Sequence, residues 1–377
     1  MRFEVHNRVS DFNSYRAARV KSLFNASDGC NFDLIAEIDF PEEWQIGVIV
    51  GPSGSGKTSL GKKIFGDDKI INLDDGWDFG KPIIDDIEGD FDDVCSALAS
   101  VGLGSVPSWL RPFAVLSNGE KFRAGLARLC INRPETVVVD EFTSVIDRQI
   151  ARIGSLAFQK QWRRANTGQK IVLLTPHYDV LDWLEPDWVF DTKDGRYERG
   201  RLRQRPKFTL EVRQVDQSYW RYFKPHYYLD LPMPIAAKYF IGTVDGELAC
   251  HIAVACKFEV KCYRATRLVT MPEWQGAGVG TKFLDFICQY HLDGNGTGGH
   301  RYPTLFHTSH PQLCGALRRS KKWTQVSAVL FGGNKVKSQK SISRTTKSKV
   351  GMNAGYGGHF RAVQGFKYLG ARAEAKA

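Results

Sequence analysis

The chain has 377 residues, 42% hydrophobic and 25% charged, with a formal net charge of +11. That length suits about two domains, and the composition excludes disordered and fibrous classes. Nowhere do about 18 apolar residues run together, and MRFEVHNRVSDF holds no signal-length apolar core, so a cytoplasmic chain with no membrane partner is expected.

The charge is unevenly spread. Residues 311–377 carry 14 Lys or Arg against the single acid Glu374, a balance of +13 that leaves −2 for the first 310 residues. Eight cysteines form no CxxC pair, and the six-residue spacing of Cys250, Cys256 and Cys262 does not suit zinc, so reduced thiols are expected.

In chain order, the apolar run IGVIV (46–50) leads into GPSGSGKTS (51–59), which fits G-x-x-x-x-G-K-[ST] between a strand and a helix. Gly51, Ser53, Gly54 and Gly56 let the backbone curl so that its amides face phosphate oxygens. Lys57 would reach the β- and γ-phosphates, Thr58 would hold Mg²⁺, and Ser59 would complete the cradle. Next, LSNGEKFRAGLARLC (116–130) opens on Ser117 and Glu120 in capping-box spacing, with turn-permissive Asn118 and Gly119 between them. Such a helix start is an anion site, and it is surplus to a chain whose own loop already cradles a triphosphate. In VVVDEFTSVID (137–147) a buried strand delivers Asp140 to the metal, and Glu141 beside it is suited to polarise an attacking water. His177, after the strand KIVLLT (170–175), is placed to contact the γ-phosphate.

Over residues 1–205 these motifs resemble the ABC-type ATPase family: LSNGE is similar to its signature, SVID (144–147) to its D-loop, and His177 to its switch histidine. The resemblance implies a head-to-tail homodimer holding two ATP molecules between one copy's P-loop and the other's Ser117 and Gly119. The family's Q-loop glutamine has no counterpart, because no Gln lies between Pro52 and Gly119; Asp85 or Asp86 is the substitute on offer. Phe24 is the aromatic available to stack on adenine. The short span from P-loop to signature leaves little room for the helical subdomain that meets transporter membrane domains.

The Arg-rich run RYERGRLRQRPKF (196–208) marks a break, followed by strand-like segments and a hairpin signal at Asp245-Gly246. After the strand CYRATRLV, MPEWQGAGVGTKFLDFICQY (271–290) presents Gln275, Gly276, Gly278 and Gly280 before a helix, a loop able to bind pyrophosphate. This stretch resembles the GNAT acyltransferases over about 206–325, which implies acetyl-CoA or another acyl-CoA as donor and an amine as acceptor. In HTSHP (307–311), Ser309 and His310 are candidates for the acceptor cleft, with a helix N-cap and a surface histidine as the plain alternative. Glu247 and His251, beside the hairpin, are weaker candidates. The whole chain also resembles a group of archaeal and phage proteins that fuse an ABC-type ATPase to an acyltransferase domain related to phage Mom-type DNA-modifying enzymes.

The stretch 337–361 holds six positive charges and no acid, with Tyr356 and Phe360 able to stack on a base, so DNA or RNA is the expected partner. The expectation is therefore an α/β P-loop ABC-type ATPase domain (1–205) followed by an α+β GNAT-like acyltransferase domain (206–377). Together these would acylate nucleic acid using ATP, Mg²⁺ and acyl-CoA. An ATP-gated nucleic-acid clamp, in which the second domain only binds ligand, is the alternative.

Overall fold

The computed structural model describes residues 1–8, 14–24, 32–165, 168–199, 207–227, 229, 233–234, 236–329 and 362–370. Elements run in chain order as β1 (Arg2–Asn7), α1 (Tyr15–Phe24), β2 (Phe32–Glu37), β3 (Ile46–Val50), α2 (Lys57–Phe65) and β4 (Ile70–Ile71). Next come α3 (Ile83–Asp86), α4 (Phe91–Ser100), α5 (Val106–Trp109), α6 (Asn118–Asn132), β5 (Thr136–Val139), α7 (Arg148–Arg164) and β6 (Lys170–Thr175). They are followed by α8 (Leu181–Leu184), β7 (Trp188–Asp191), β8 (Arg196–Arg199), β9 (Leu210–Val215), α9 (Trp220–Phe223), β10 (Ala237–Val244) and β11 (Glu247–Lys257). The last are β12 (Cys262–Thr270), α10 (Val279–Leu292), β13 (Thr304–Thr308), α11 (Pro311–Arg319), β14 (Trp323–Val329) and β15 (Val363–Tyr368).

The chain divides into two compact units, Met1–Asp78 with Leu116–Pro206, and Phe79–Val115 with Lys207–Ala377. This amends the expectation of one domain over 1–205. Residues 79–115 pack with the second unit, where apolar Val94, Cys95, Ala97 and Leu98 of α4 are buried and α4 lies against α11.

In the first unit, β4-β5-β6-β3-β7-β8 form one sheet, parallel except for the β7/β8 pair. The strands β3, β5 and β6 are apolar and almost wholly buried, as the interior strands of a sheet covered on both faces must be. Register pairs Val50 with Thr175 and Val139 with Leu173, so β3, β6 and β5 end side by side. The P-loop, His177 and Asp140 follow those three ends. That is where ligands meet parallel sheets, at the carboxyl edge of the strands.

In the second unit the order is β14-β15-β13-β12-β11-β10-β9, antiparallel throughout except between β12 and β13. Asp245 (φ 52°) and Gly246 (φ 83°) make the two-residue turn that joins β10 to β11, as their sequence predicts. The parallel pairing of β12 with β13 runs only from Tyr263↔Thr304 to Ala265↔Phe306. A bulge at Arg267 (φ 58°) also shifts β12 against β11 within the same strand. The basic stretch is not a free end: β14 and β15 pair up to Val329↔Val363, so both of its roots are held in the sheet. Residues 330–361, with Tyr356 and Phe360, lie outside the described residues. Among the described residues no helix is long and apolar enough to cross a membrane, and no His/Cys/Asp/Glu cluster suits a metal ion.

Candidate functional site

The first site is built on the turn between β3 and α2. Gly51, Gly54 and Gly56 all have positive φ (152°, 77° and 85°), a curl that side-chain-bearing residues resist. At Gly56 a Cβ would also fall 2.3 Å from the Phe32 ring, so β2 braces the loop from outside. At Gly54 nothing lies within 4 Å of that position, which leaves the inner side of the curl open. No side chain caps α2 and no acid stands in its first turn, so its leading amides and positive dipole end stay available to an anion. Ser55 donates to the Pro52 carbonyl at 2.7 Å and pairs with Thr192 at 2.5 Å, fixing the loop to the strand end beside it. Ser53 is exposed at the tip, and Ser59 lies on the first turn of α2.

Lys57 is buried, and its ammonium donates to the carbonyls of Gly51 (2.9 Å) and Pro52 (2.8 Å). Burial pushes its pKa down, while Glu141 and Asp140 pull it up. A cation held this way has only loop carbonyls as partners, which a phosphate oxygen outbids. Thr58 Oγ1 donates to Asp140 Oδ2 at 2.9 Å, and Asp140 Oδ1 accepts from the Glu141 amide at 2.9 Å. A hydroxyl beside a carboxylate, both oxygen donors, fits Mg²⁺.

Glu141 and Thr143 hold positive φ (50° and 68°) without being glycine. That strain is held in place where Phe142 donates to the Leu174 carbonyl at 2.8 Å and Thr143 meets Thr175 at 3.3 Å. The result turns the exposed Glu141 carboxylate out from the strand end, where it accepts from Ser144 Oγ. His177 donates its amide to Thr175 Oγ1 at 3.1 Å. Burial, with Arg148 nearby, lowers its pKa against the opposing pull of Asp179, keeping the ring neutral at pH 7. Asp147 is spent as the N-cap of α7, accepting from Gln149 and Ile150.

Ser117 caps α6 through the complete capping box: its Oγ accepts from the Glu120 amide at 3.4 Å, and its own amide donates to Glu120 Oε2 at 2.9 Å. Asn118 and Gly119 do not use their backbone freedom, because both lie in the helix. Gly119 lies close to α7 instead: a Cβ there would stand 3.0 Å from Ile150 Cδ1. Asp85 and Asp86, offered as Q-loop substitutes, sit on α3 in the second unit and not in the unit that holds Thr58. Phe24 ends α1, but its side chain lies outside the described residues. Phe32 against Gly56 is the aromatic that sequence reasoning passed over; nothing in its local spacing marks it.

Among known proteins, the zinc import ATP-binding protein ZnuC of Jannaschia sp. is 32% identical over 161 residues, covering 37% of this chain and 65% of that protein. The chain is thus similar to ATP-binding subunits of ABC-type transporters over part of its length. The energy-coupling factor transporter ATP-binding protein EcfA1 of Levilactobacillus brevis is 34% identical over 103 residues, 27% of this chain and 35% of that protein. The chain thus spans less than two thirds of the length of either relative. Of solved structures, cbiO1 from Clostridium perfringens, part of the ABC transporter complex cbiONQ, shares 18% identity at a TM-score of 0.34, covering 46% of this chain and 81% of that one. The ATP-binding cassette MJ0796, a dimer bound to ADP and Pi, shares 17% at a TM-score of 0.34, covering 45% and 89%. No protein-family model matches the chain.

In the second unit, Gly276 and Gly278 (φ 93° and 80°) turn the chain from β12 into α10, whose N-cap Gly278 has open space where a side chain would stand. Gly280 packs closely, with Thr270 Oγ1 2.4 Å from its would-be Cβ. Gln275 is half-buried. Its Nε2 donates to the Thr270 carbonyl (3.0 Å) and its Oε1 accepts from the Gly104 amide (3.1 Å). His310, not Ser309, is the N-cap residue of α11, and its Nε2 donates to the Gly104 carbonyl at 3.2 Å with Trp109 edge-on at 6.1 Å. It is therefore no surface histidine, and burial lowers its pKa. Ser309 Oγ and His310 Nδ1 are buried atoms with no partner. Glu247 is exposed beside its turn.

His251 is fully buried on β11, packed by Trp220 (5.0 Å) and Phe223 (5.2 Å) of α9, with Nδ1 donating to the Arg267 carbonyl at 3.1 Å. Burial pushes its pKa down to about 4. His307, on β13, stands opposite Gly365 on β15. Its Nε2 and Ser327 Oγ lie 2.9 and 2.3 Å from where a Cβ of Gly365 would be, and its buried Nδ1 has no partner. Burial, with Arg264 close by, pushes its pKa to about 4.

Proposed function

We propose that the ATPase domain binds and hydrolyses Mg-ATP across a head-to-tail homodimer, and that the second unit is a GNAT-like domain transferring an acyl group from acyl-CoA to an amine on nucleic acid. The observation that carries the first half is the Thr58–Asp140 hydrogen bond at the mouth of a glycine-curled P-loop, with Glu141 turned out beside it. Bound Mg²⁺ would neutralise developing charge on the β- and γ-oxygens. Lys57 exchanges loop carbonyls for phosphate oxygens, Glu141 accepts the proton of the attacking water, and neutral His177 donates toward the γ-phosphate. The amino end of α6, ordered by its Ser117 cap, offers its first amides to the nucleotide of a second copy.

The second half is supported by the seven-stranded sheet whose one parallel pair, β12 and β13, stays together for only three positions, followed by the glycine turn into α10. A splayed pair admits an extended cofactor between its ends, and the turn's amides suit pyrophosphate. In the reaction the amine nitrogen bonds to the thioester carbon, the C–S bond breaks, the thiolate takes a proton and the amine gives one up. His307 and His310 each keep a ring Nδ1 without a partner, and either is placed to take that proton. The basic stretch rooted at Val329 and Val363 would bring the phosphate backbone.

The test is to incubate the full chain with Mg-ATP, labelled acetyl-CoA and DNA, RNA or basic peptide. Label on nucleosides is expected; label on protein alone would overturn base modification. A second reading, an ATP-gated nucleic-acid clamp whose second unit only binds ligand, draws support from the engagement of both Gln275 and His310 by Gly104. On that reading Lys57→Ala abolishes cellular function, while Gln275 and Gly278 variants leave it intact.

A further inference from the structure

We infer that Arg264 and its neighbours, on the sheet face turned away from α10, form a phosphate-binding site that seats one phosphate group of a nucleotide beside the splay of β12 and β13. The inference deepens the acceptor side of the function proposed above and rests on that reading for the nucleotide; phosphate binding itself requires neither ATP nor acyl-CoA.

Paired residues share a face of a sheet, so the register defines two successive rows on this one. The first runs Ala255, Arg264, Leu305 and Lys367 across β11, β12, β13 and β15. The second holds Ala253 with Thr266, and His307 with Gly365 and Ser327. On the opposite face α10 is packed, with its His291 against Tyr263 at 4.5 Å. Ala253, Ala255 and Gly365 carry at most a methyl group, which gives the two rows a low floor. At Gly365 there is no room for more, since Ser327 Oγ and His307 Nε2 stand 2.3 and 2.9 Å from its would-be Cβ.

The charge over this floor is one-sided. Strands β11 to β15 hold Lys257, Arg264, Arg267 and Lys367 but a single acid, Glu247, at the hairpin turn. The stretch 330–361 that joins β14 to β15 contains no acid either. Among the described residues Arg264 has neither an ion pair nor a hydrogen bond. It is exposed, yet desolvation lowers its pKa; Cys262 pulls the value back up and Arg267 lowers it further. A guanidinium that is open to solvent and still desolvated lies in a concavity, and repulsion by a second guanidinium marks charge that the protein leaves uncompensated. An anion supplies what is missing. The guanidinium fork matches phosphate oxygens, and Ser327 and Lys367 offer further donors in the same two rows. A tetrahedral phosphate can meet donors from several strands at once, whereas a planar carboxylate meets the fork alone. Thr266 Oγ1 and His307 Nδ1, buried without a partner among the described residues, leave the wall of the concavity short of hydrogen bonds.

Position ties this phosphate to the splay. Thr266 and His307 stand one residue past the last β12–β13 pair, Ala265↔Phe306, where the strands part. Arg264 lies two residues before Thr266, about 7 Å back along the strand. A nucleotide gripped by its phosphate at Arg264 spans that distance with its sugar and lays its base at the mouth of the splay. Arg264 thereby selects nucleotides as acceptors and sets which one along a polynucleotide is presented.

Fluorescence anisotropy of a labelled single-stranded DNA hexamer with the full chain tests this, with thermal melts confirming that each variant is folded. Arg264→Gln is expected to weaken binding about 10-fold or more, and to reduce the slope of log K against log salt by about 0.7, the share of one phosphate on a single strand. Arg264→Lys, which keeps the charge and loses the fork, is expected to restore the slope but only part of the affinity. Unlabelled AMP as competitor separates the sources, and either result supports the site: displacement of the hexamer by AMP assigns a free nucleotide, displacement by unlabelled hexamer alone assigns a polynucleotide. Unchanged affinity and slope in Arg264→Gln overturn the phosphate site and leave nucleic-acid binding to the basic stretch. Should the parent chain not bind the hexamer, the nucleic-acid reading falls first. Phosphorus NMR of AMP then decides the site: line broadening by the parent that is lost in Arg264→Gln sustains it, and equal broadening by both, or none, overturns it.

Discussion

Thr58 and Asp140, 82 residues apart, share a hydrogen bond of 2.9 Å at the ends of two strands separated in the sheet by β6. The pair is where α2 and β5 converge on one metal-sized space. Thr58→Val is expected to lower Mg-ATP hydrolysis by about 100-fold or more while costing about 1 kcal/mol of stability, since only one half-exposed bond is lost from the fold. Parallel measurements of ATPase rate and urea unfolding check it. Equal damage to both would show that the pair is architectural.

Glu141 projects from a strained turn without holding a buried partner, so its charge is dispensable to folding. Glu141→Gln is expected to keep nucleotide binding, lose turnover by at least about 100-fold, and accumulate as a dimer in Mg-ATP. Light scattering reads the outcome, and monomers at saturating nucleotide would remove the case for a shared site.

Gly119 is a spacer between α6 and α7. Gly119→Leu is expected to destabilise the first unit by about 1–3 kcal/mol through overpacking on Ile150. Adding Ile150→Ala should recover part of that loss, as contacting residues couple. Denaturant melts of the two single variants and the double variant decide the matter; strict additivity would contradict the contact.

His251 and His307 have pKa values near 4 in the folded chain, depressed by burial from the usual 6.5. A depressed value means that the unfolded chain binds more protons between those limits. The stability these groups contribute is present above about 6.5 and is lost as pH falls toward 4, on the order of 3 kcal/mol for fully buried His251. The second unit's melting temperature should drop between pH 7 and pH 5, and by less in His251→Gln. Identical pH profiles would refute the assignment to His251.

The glycine curl after β3, the acid at the end of β5 and the capped helix were legible in the chain because each rests on short-range chemistry. Glycine curls, a capping box and an acid at a strand end are all decided within a few residues. Asn118 and Gly119, turn-permissive by sequence, lie within α6 instead, and Gly119 meets a side chain 31 positions away. Gln275 and His310 read as open site residues because nothing near them in sequence shows the Gly104 peptide, 171 and 206 positions distant, that occupies both. The close approach of His307 to Gly365 was invisible for a similar reason: the two meet across paired strands 58 positions apart.

Local propensity and motif spacing sufficed to mark an α/β half with a glycine-curled loop and a glycine-looped second half, because backbone geometry is encoded residue by residue. Only the folded chain assigned residues 79–115 to the second unit and tied Gly104 to Gln275 and His310. Burial and long-range hydrogen bonding are set by which surfaces meet, and no window of sequence contains both partners.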